Sequence, residues 1–183
     1  MIKKYWCVLI AGFCWISISA QNREPTQRQF TSDLLDHLVG DWKVASVTHG
    51  FSSSATLKGE WTLNHQIFHL HFKGKEIVPW IGVPMEFEYF IGYNHRQSKY
   101  IVHGVSVVGL DDDEGFWYGS RNGNQLIIRQ PPEAGSTSDT VNVQRLTWKP
   151  ETNTWVIQSR SRINGKEQGV FLDMRLTSVD TMK

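Results

Sequence analysis

Apolar side chains recur at every second position along most of this 183-residue chain, and that period constrains the fold more than any other feature of the sequence. Leu57, Gly59, Trp61 and Leu63 alternate with Thr56, Lys58, Glu60 and Thr62, and Phe68, Leu70 and Phe72 alternate with Ile67, His69 and His71. Met85, Phe87, Tyr89 and Ile91 alternate with Glu86 and Glu88 in the same way. Successive strand residues point to opposite faces, so the first set of each run is expected inside and the second in water. Further strands are predicted over 100–107, 116–120, 125–130, 141–148, 155–162 and 169–178. Turns are expected at 92–97, at Asn122-Gly123-Asn124 and at Asn164-Gly165. About ten short strands at this spacing predict an all-β domain, a single antiparallel up-and-down barrel.

The segment before the strands reads differently. Lys3 and Lys4 precede an apolar run over 5–18 and the small residues Ser17, Ser19 and Ala20, the order of a secretory signal peptide with cleavage after Ala20. The run is too short for a membrane anchor, so no transmembrane segment is expected after cleavage. Residues 1–20 are thus assigned to the signal, 21–31 to a polar tether and 32–183 to the barrel domain, giving a secreted or periplasmic protein. Cys7 and Cys14, the two cysteines of the chain, both fall in the signal. Disulfides, thiolate metal sites and cysteine nucleophiles are thereby excluded from the mature chain. The chain has 19 basic and 18 acidic residues. Two of the lysines leave with the signal, so the remainder carries one net negative charge and no footprint for nucleic acid or an anionic membrane.

Ser32 is positioned to cap a short helix over 33–38, whose Leu34, Leu35 and Leu38 share a face that can lie across a barrel end. Gly40 then permits a sharp entry into the first strand, and Trp42 is large enough to plug the barrel beneath the helix. Gly40-x-Trp42 after a short helix resembles the opening of calycin-type barrels, the lipocalins and the lipocalin-like and nitrobindin-like bacterial proteins. The succession Glu88-Tyr89-Phe90-Ile91-Gly92-Tyr93-Asn94, Ser98-Lys99-Tyr100 and Gly123 is similar to a bacterial family of secreted barrels of unknown function. The likeness spans roughly residues 34–178, and implies the calycin fold more firmly than any activity. Lipocalins place a basic residue over the tryptophan, whereas alternation here puts Val170, Leu172, Met174 and Leu176 inward and Arg175 outward. The longer glycine run of the nitrobindin-like haem proteins is replaced by Lys43-Val44-Ala45-Ser46, so neither haem nor any other cofactor is expected.

Trp42, Trp61, Phe68, Leu70, Phe87, Tyr89 and Trp155 all have inward parity. They either fill a packed core or line an apolar cavity for a small apolar or amphipathic molecule, oriented by Tyr89, Ser46, Thr48, Ser159 and Ser161. A rival reading takes the barrel as an enzyme. His69-x-His71 puts two imidazoles on one face about 7 Å apart, and Glu86 or Glu88 with His103 could complete a metal or acid–base set. Against this, Phe68, Leu70 and Phe72 claim the interior and leave both histidines outside. A third reading is an interaction module with a filled core and an apolar patch at Trp80 and Ile81. Asp111-Asp112-Asp113-Glu114 lacks the ligand spacing of a calcium loop and reads as an acidic turn. The connections 74–84 and 131–139 are long enough to act as gates. No Gly-x-Ser-x-Gly elbow marks a serine nucleophile.

Overall fold

The structure, a computed structural model, describes residues 29–108, 116–130 and 140–179. The signal segment, most of the tether, the acidic turn at 111–114 and the connection 131–139 lie outside the described residues. A four-residue helix, α1 (Asp33–Asp36), precedes ten strands: β1 (Gly40–Thr48), β2 (Phe51–Thr62), β3 (Ile67–Ile77), β4 (Pro84–Asn94), β5 (Lys99–Ser106), β6 (Trp117–Asn122), β7 (Gln125–Arg129), β8 (Val141–Lys149), β9 (Thr154–Ile163) and β10 (Lys166–Ser178). Each strand pairs antiparallel with its sequence neighbours, and β1 closes on β10. That seam runs from Trp42 opposite Ser178 to Thr48 opposite Leu172. The result is a closed up-and-down barrel.

The turns follow the chemistry of their residues. His49-Gly50 and Asn164-Gly165 each have two consecutive positive φ values, 48° and 81° in the first and 49° and 78° in the second, the backbone that matches a two-residue hairpin to strand twist. Two expectations are corrected at strand ends. Leu63, expected inward, is 70% exposed, because β2 stops at Thr62 and Leu63, Asn64 and His65 form a left-handed turn with φ of 48°, 53° and 60°. The turn expected at 92–97 starts later, since β4 continues through Asn94.

One end of the barrel is plugged. Ser32 caps α1 by accepting from the Leu35 N–H at 3.3 Å, and Leu34, Leu35 and Leu38 are all buried. Phe30 joins them, stacked on Tyr93 at 5.6 Å and set edge-on to Trp61 at 5.2 Å. Three indole N–H groups hold this plug by its C-terminal side. Trp42 donates to the Leu38 carbonyl at 3.0 Å, Trp155 to the His37 carbonyl at 3.1 Å, and Trp61 to Asp36 Oδ1 at 2.8 Å. Helix carbonyls left without a partner are thereby satisfied by buried rings that also fill the barrel. Gly59 makes the fit feasible, because a Cβ there would stand 2.2 Å from the Leu38 oxygen. Arg121 on β6 completes the clamp with a bidentate pair to Asp33, one arm of which measures 2.9 Å. Among the described residues, no helix is long and apolar enough to cross a membrane.

Candidate functional site

Away from the plug the described residues leave the interior unfilled. A cavity of about 230 Å³ lies in the other half of the barrel, walled by Phe72, Met85, Phe87 and Tyr89 on one side and Ser46, Thr48, Leu172 and Met174 on the other. Register builds the aromatic wall. Phe72 on β3 sits directly opposite Phe87 on β4, and their rings stack at 4.5 Å and 7°. Phe87 continues to Tyr89 at 4.9 Å and Tyr89 to Trp117 at 5.6 Å. Gly104 lies opposite Tyr89, where a Cβ would stand 2.7 Å from the tyrosine ring; the missing side chain gives that ring its place. A smaller cavity of about 190 Å³ adjoins, sharing Tyr89, Gln144, Phe171 and Leu172 with the first.

The far end of the cavity is lined by aromatic residues from the β1–β2 hairpin, the β3–β4 loop and β10. His49, at the β1–β2 turn, stacks on Phe171 at 5.5 Å and meets Trp80 edge-on at 5.9 Å, while Phe51 meets the same indole at 5.9 Å. Trp80 is 54% exposed, yet its loop is ordered by bonds from Val78 N–H to Val83 O, Ile81 N–H to Val78 O and Gly82 N–H to Val78 O, at 3.1, 3.0 and 2.8 Å. Phe171 reaches this position through a β-bulge. Val170 pairs with Arg160 and Leu172 with Ser159, so Phe171 is an extra residue in β10. The bulge reverses parity upstream, and Val170, expected inward, is 38% exposed. Leu172, Met174 and Leu176 keep the expected inward facing, and Arg175 is exposed on the outer face.

The seven residues named from parity divide between the two halves. Phe87 and Tyr89 line the cavity. Trp42, Phe68, Leu70 and Trp155 are fully enclosed in the core beneath the helix, and Trp61 packs against that core. The polar set divides as well: Ser46 and Thr48 line the larger cavity with their hydroxyls 3.5 Å apart, whereas Ser161 donates to Asn142 at 3.0 Å. Gln144, which parity on β8 would have placed inward with Leu146 and Trp148, donates to Ser159 Oγ at 3.3 Å. The Oε1 of Gln144 and the hydroxyl of Ser106 are buried with no hydrogen-bond partner among the described residues.

His69 and His71 stand on the outer surface, engaged with carboxylates across strands. His69 Nε2 lies 3.1 Å from Glu88 and its Nδ1 3.7 Å from Glu60, while His71 Nε2 lies 2.7 Å from Glu86. The His71 contact holds the Glu86 carboxyl below the usual range, and Lys58, at 2.7 Å, does the same to Glu60. His69 also stacks on Phe90 at 4.9 Å, and His103 leans on Phe116 at 5.3 Å. Among the described residues no group of three or more histidines and carboxylates converges as a metal set would.

Fold and site together define a closed ten-stranded antiparallel barrel, plugged by a helix at one end and hollow toward the other. No family model matches the chain, and no curated protein matches it.

Proposed function

We propose that the protein is a secreted or periplasmic barrel of the calycin type that holds a small apolar or amphipathic molecule in the cavity between Phe87 and Met174. The observation that carries this reading is the division of the interior. Trp155 and Phe68 are fully buried in one half, while the Phe72–Phe87–Tyr89 wall faces space that no side chain of the described residues enters. Apolar walls with a few placed polar groups are the usual form of a small-molecule site. The short helix, Gly40 at φ 117° and the indole of Trp42 beneath them support the calycin likeness.

Native mass spectrometry of the protein purified from its own host, read alongside uptake of fluorescent apolar probes, tests the function. A bound small-molecule mass displaced by the probes is the expected result. No bound mass and no probe uptake at micromolar protein would overturn it. N-terminal sequencing of the same material tests export, with Gln21 expected as the first residue.

A further inference from the structure

We propose that the molecule held in the cavity is uncharged and carries a hydroxyl or N–H donor, which it delivers to Oε1 of Gln144. The inference rests on the cavity reading above and goes on to specify the chemistry of the guest. Gln144 is only 7% exposed, and it lines both cavities where they meet. Its amide has two donors and one acceptor to satisfy. Ser159, directly opposite on β9, takes a donor. The carbonyl oxygen is buried at the cavity wall with no partner among the described residues. A buried acceptor in that state is costly, and a guest that supplies the missing proton recovers the cost as affinity.

Ser106 adds the second half of the pattern. It lines the same cavity from β5, opposite Phe87, and its hydroxyl is also buried without a partner among the described residues. A hydroxyl can donate or accept, so Ser106 can meet either a donor or an acceptor of the guest. An ether satisfies only the serine.

Charge decides against an acid. No lysine or arginine lines the cavity among the described residues, and the one carboxylate that does, Glu76, has both oxygens engaged by Ser54, from its N–H at 2.7 Å and its hydroxyl at 2.8 Å. An anionic head group would lose its hydration, meet no lysine or arginine and face Glu76.

Calorimetric titration of the mature protein with three matched probes, para-hexylphenol, para-hexylanisole and para-hexylbenzoate, tests this. The phenol is expected to bind about tenfold tighter than the anisole, the worth of one good hydrogen bond, and the benzoate more weakly than either. Gln144→Met keeps the length of the side chain and should bring phenol and anisole level; Ser106→Ala should weaken phenol and anisole alike and leave their ratio in place. Equal binding of phenol and anisole to the unsubstituted protein would overturn the donor assignment while leaving an apolar cavity standing. Tightest binding by the benzoate would overturn the requirement for a neutral guest. Failure of all three to bind would remove the cavity reading itself. Because the probes are compared on the unsubstituted protein, the ranking of the three still decides the matter if a variant fails to fold.

Discussion

The indole N–H of Trp155 donates to the backbone carbonyl of His37 at 3.1 Å, across 118 residues of chain. The bond joins β9 to the end of the helical plug, and the same ring is fully buried against the core of the barrel. Packing and hydrogen bonding at this end are therefore one device, repeated at Trp42 and Leu38.

Separating the two contributions is feasible at Trp155. Trp155→Phe keeps most of the apolar volume and removes the donor, so urea unfolding should show a loss of about 1 kcal/mol, the net worth of one hydrogen bond to a carbonyl on the exposed His37. Trp155→Ala and Trp42→Ala should each cost about 3–5 kcal/mol, as truncation of large buried aromatics does. A Trp42→Ala protein within about 0.5 kcal/mol of the parent would behave like a surface variant and refute the plug assignment.

The Asp33–Arg121 clamp makes part of this stability depend on pH. Arg121 holds the Asp33 carboxyl below its ordinary value of 3.8. A carboxyl whose folded pKa is depressed stabilises the fold fully above the unfolded value, and that stabilisation is lost as pH falls through the folded value. Asp33→Asn should thus be less stable than the parent at neutral pH, and the gap should close in acid below 3.8. Thermal melts of both proteins across that range measure it. A gap that persists unchanged in acid would show that the clamp is not ionic. Asp33 is well exposed, so the difference should be small and should shrink in salt.

At Gly59 the plug comes directly against the barrel wall. A Cβ would overlap the Leu38 carbonyl, so Gly59→Ala should cost about 1–3 kcal/mol by forcing the plug outward. Gly169 has nothing within 4 Å of its own Cβ position, and Gly169→Ala supplies the control, expected within about 0.5 kcal/mol of the parent. Chemical unfolding of the two variants side by side reads the difference.

The fold was legible because its strands obey a strict period and its helix carries its leucines on one face. Parity identified the inward residues on β2, β3 and β4, but it reports facing and not height in the barrel. Trp155 and Phe87 have the same inward signal, yet the helix seats on one and stands well away from the other, so only one lines the cavity. Local irregularities were the second obstacle. The bulge at Phe171 carries no mark in sequence and reversed the facing of Val170. Gln144 was hidden because Val143 beside it is buried as well, which blurs the alternation that would have pointed Gln144 inward with Leu146 and Trp148. His49, Phe51 and Trp80 come together only through register across β1, β2 and the β3–β4 loop.

The division of the barrel into a packed half and a hollow half is tested most directly by amide NMR of the isotopically labelled protein during titration with para-hexylphenol. Saturable shifts should concentrate at Phe72, Phe87, Tyr89, Ser106, Phe171 and Met174, which line the cavity, while Leu38, Trp42, Phe68 and Trp155 beneath the helix stay in place. Shifts centred on Trp42 and Trp155, or no saturable shift anywhere, would contradict the account.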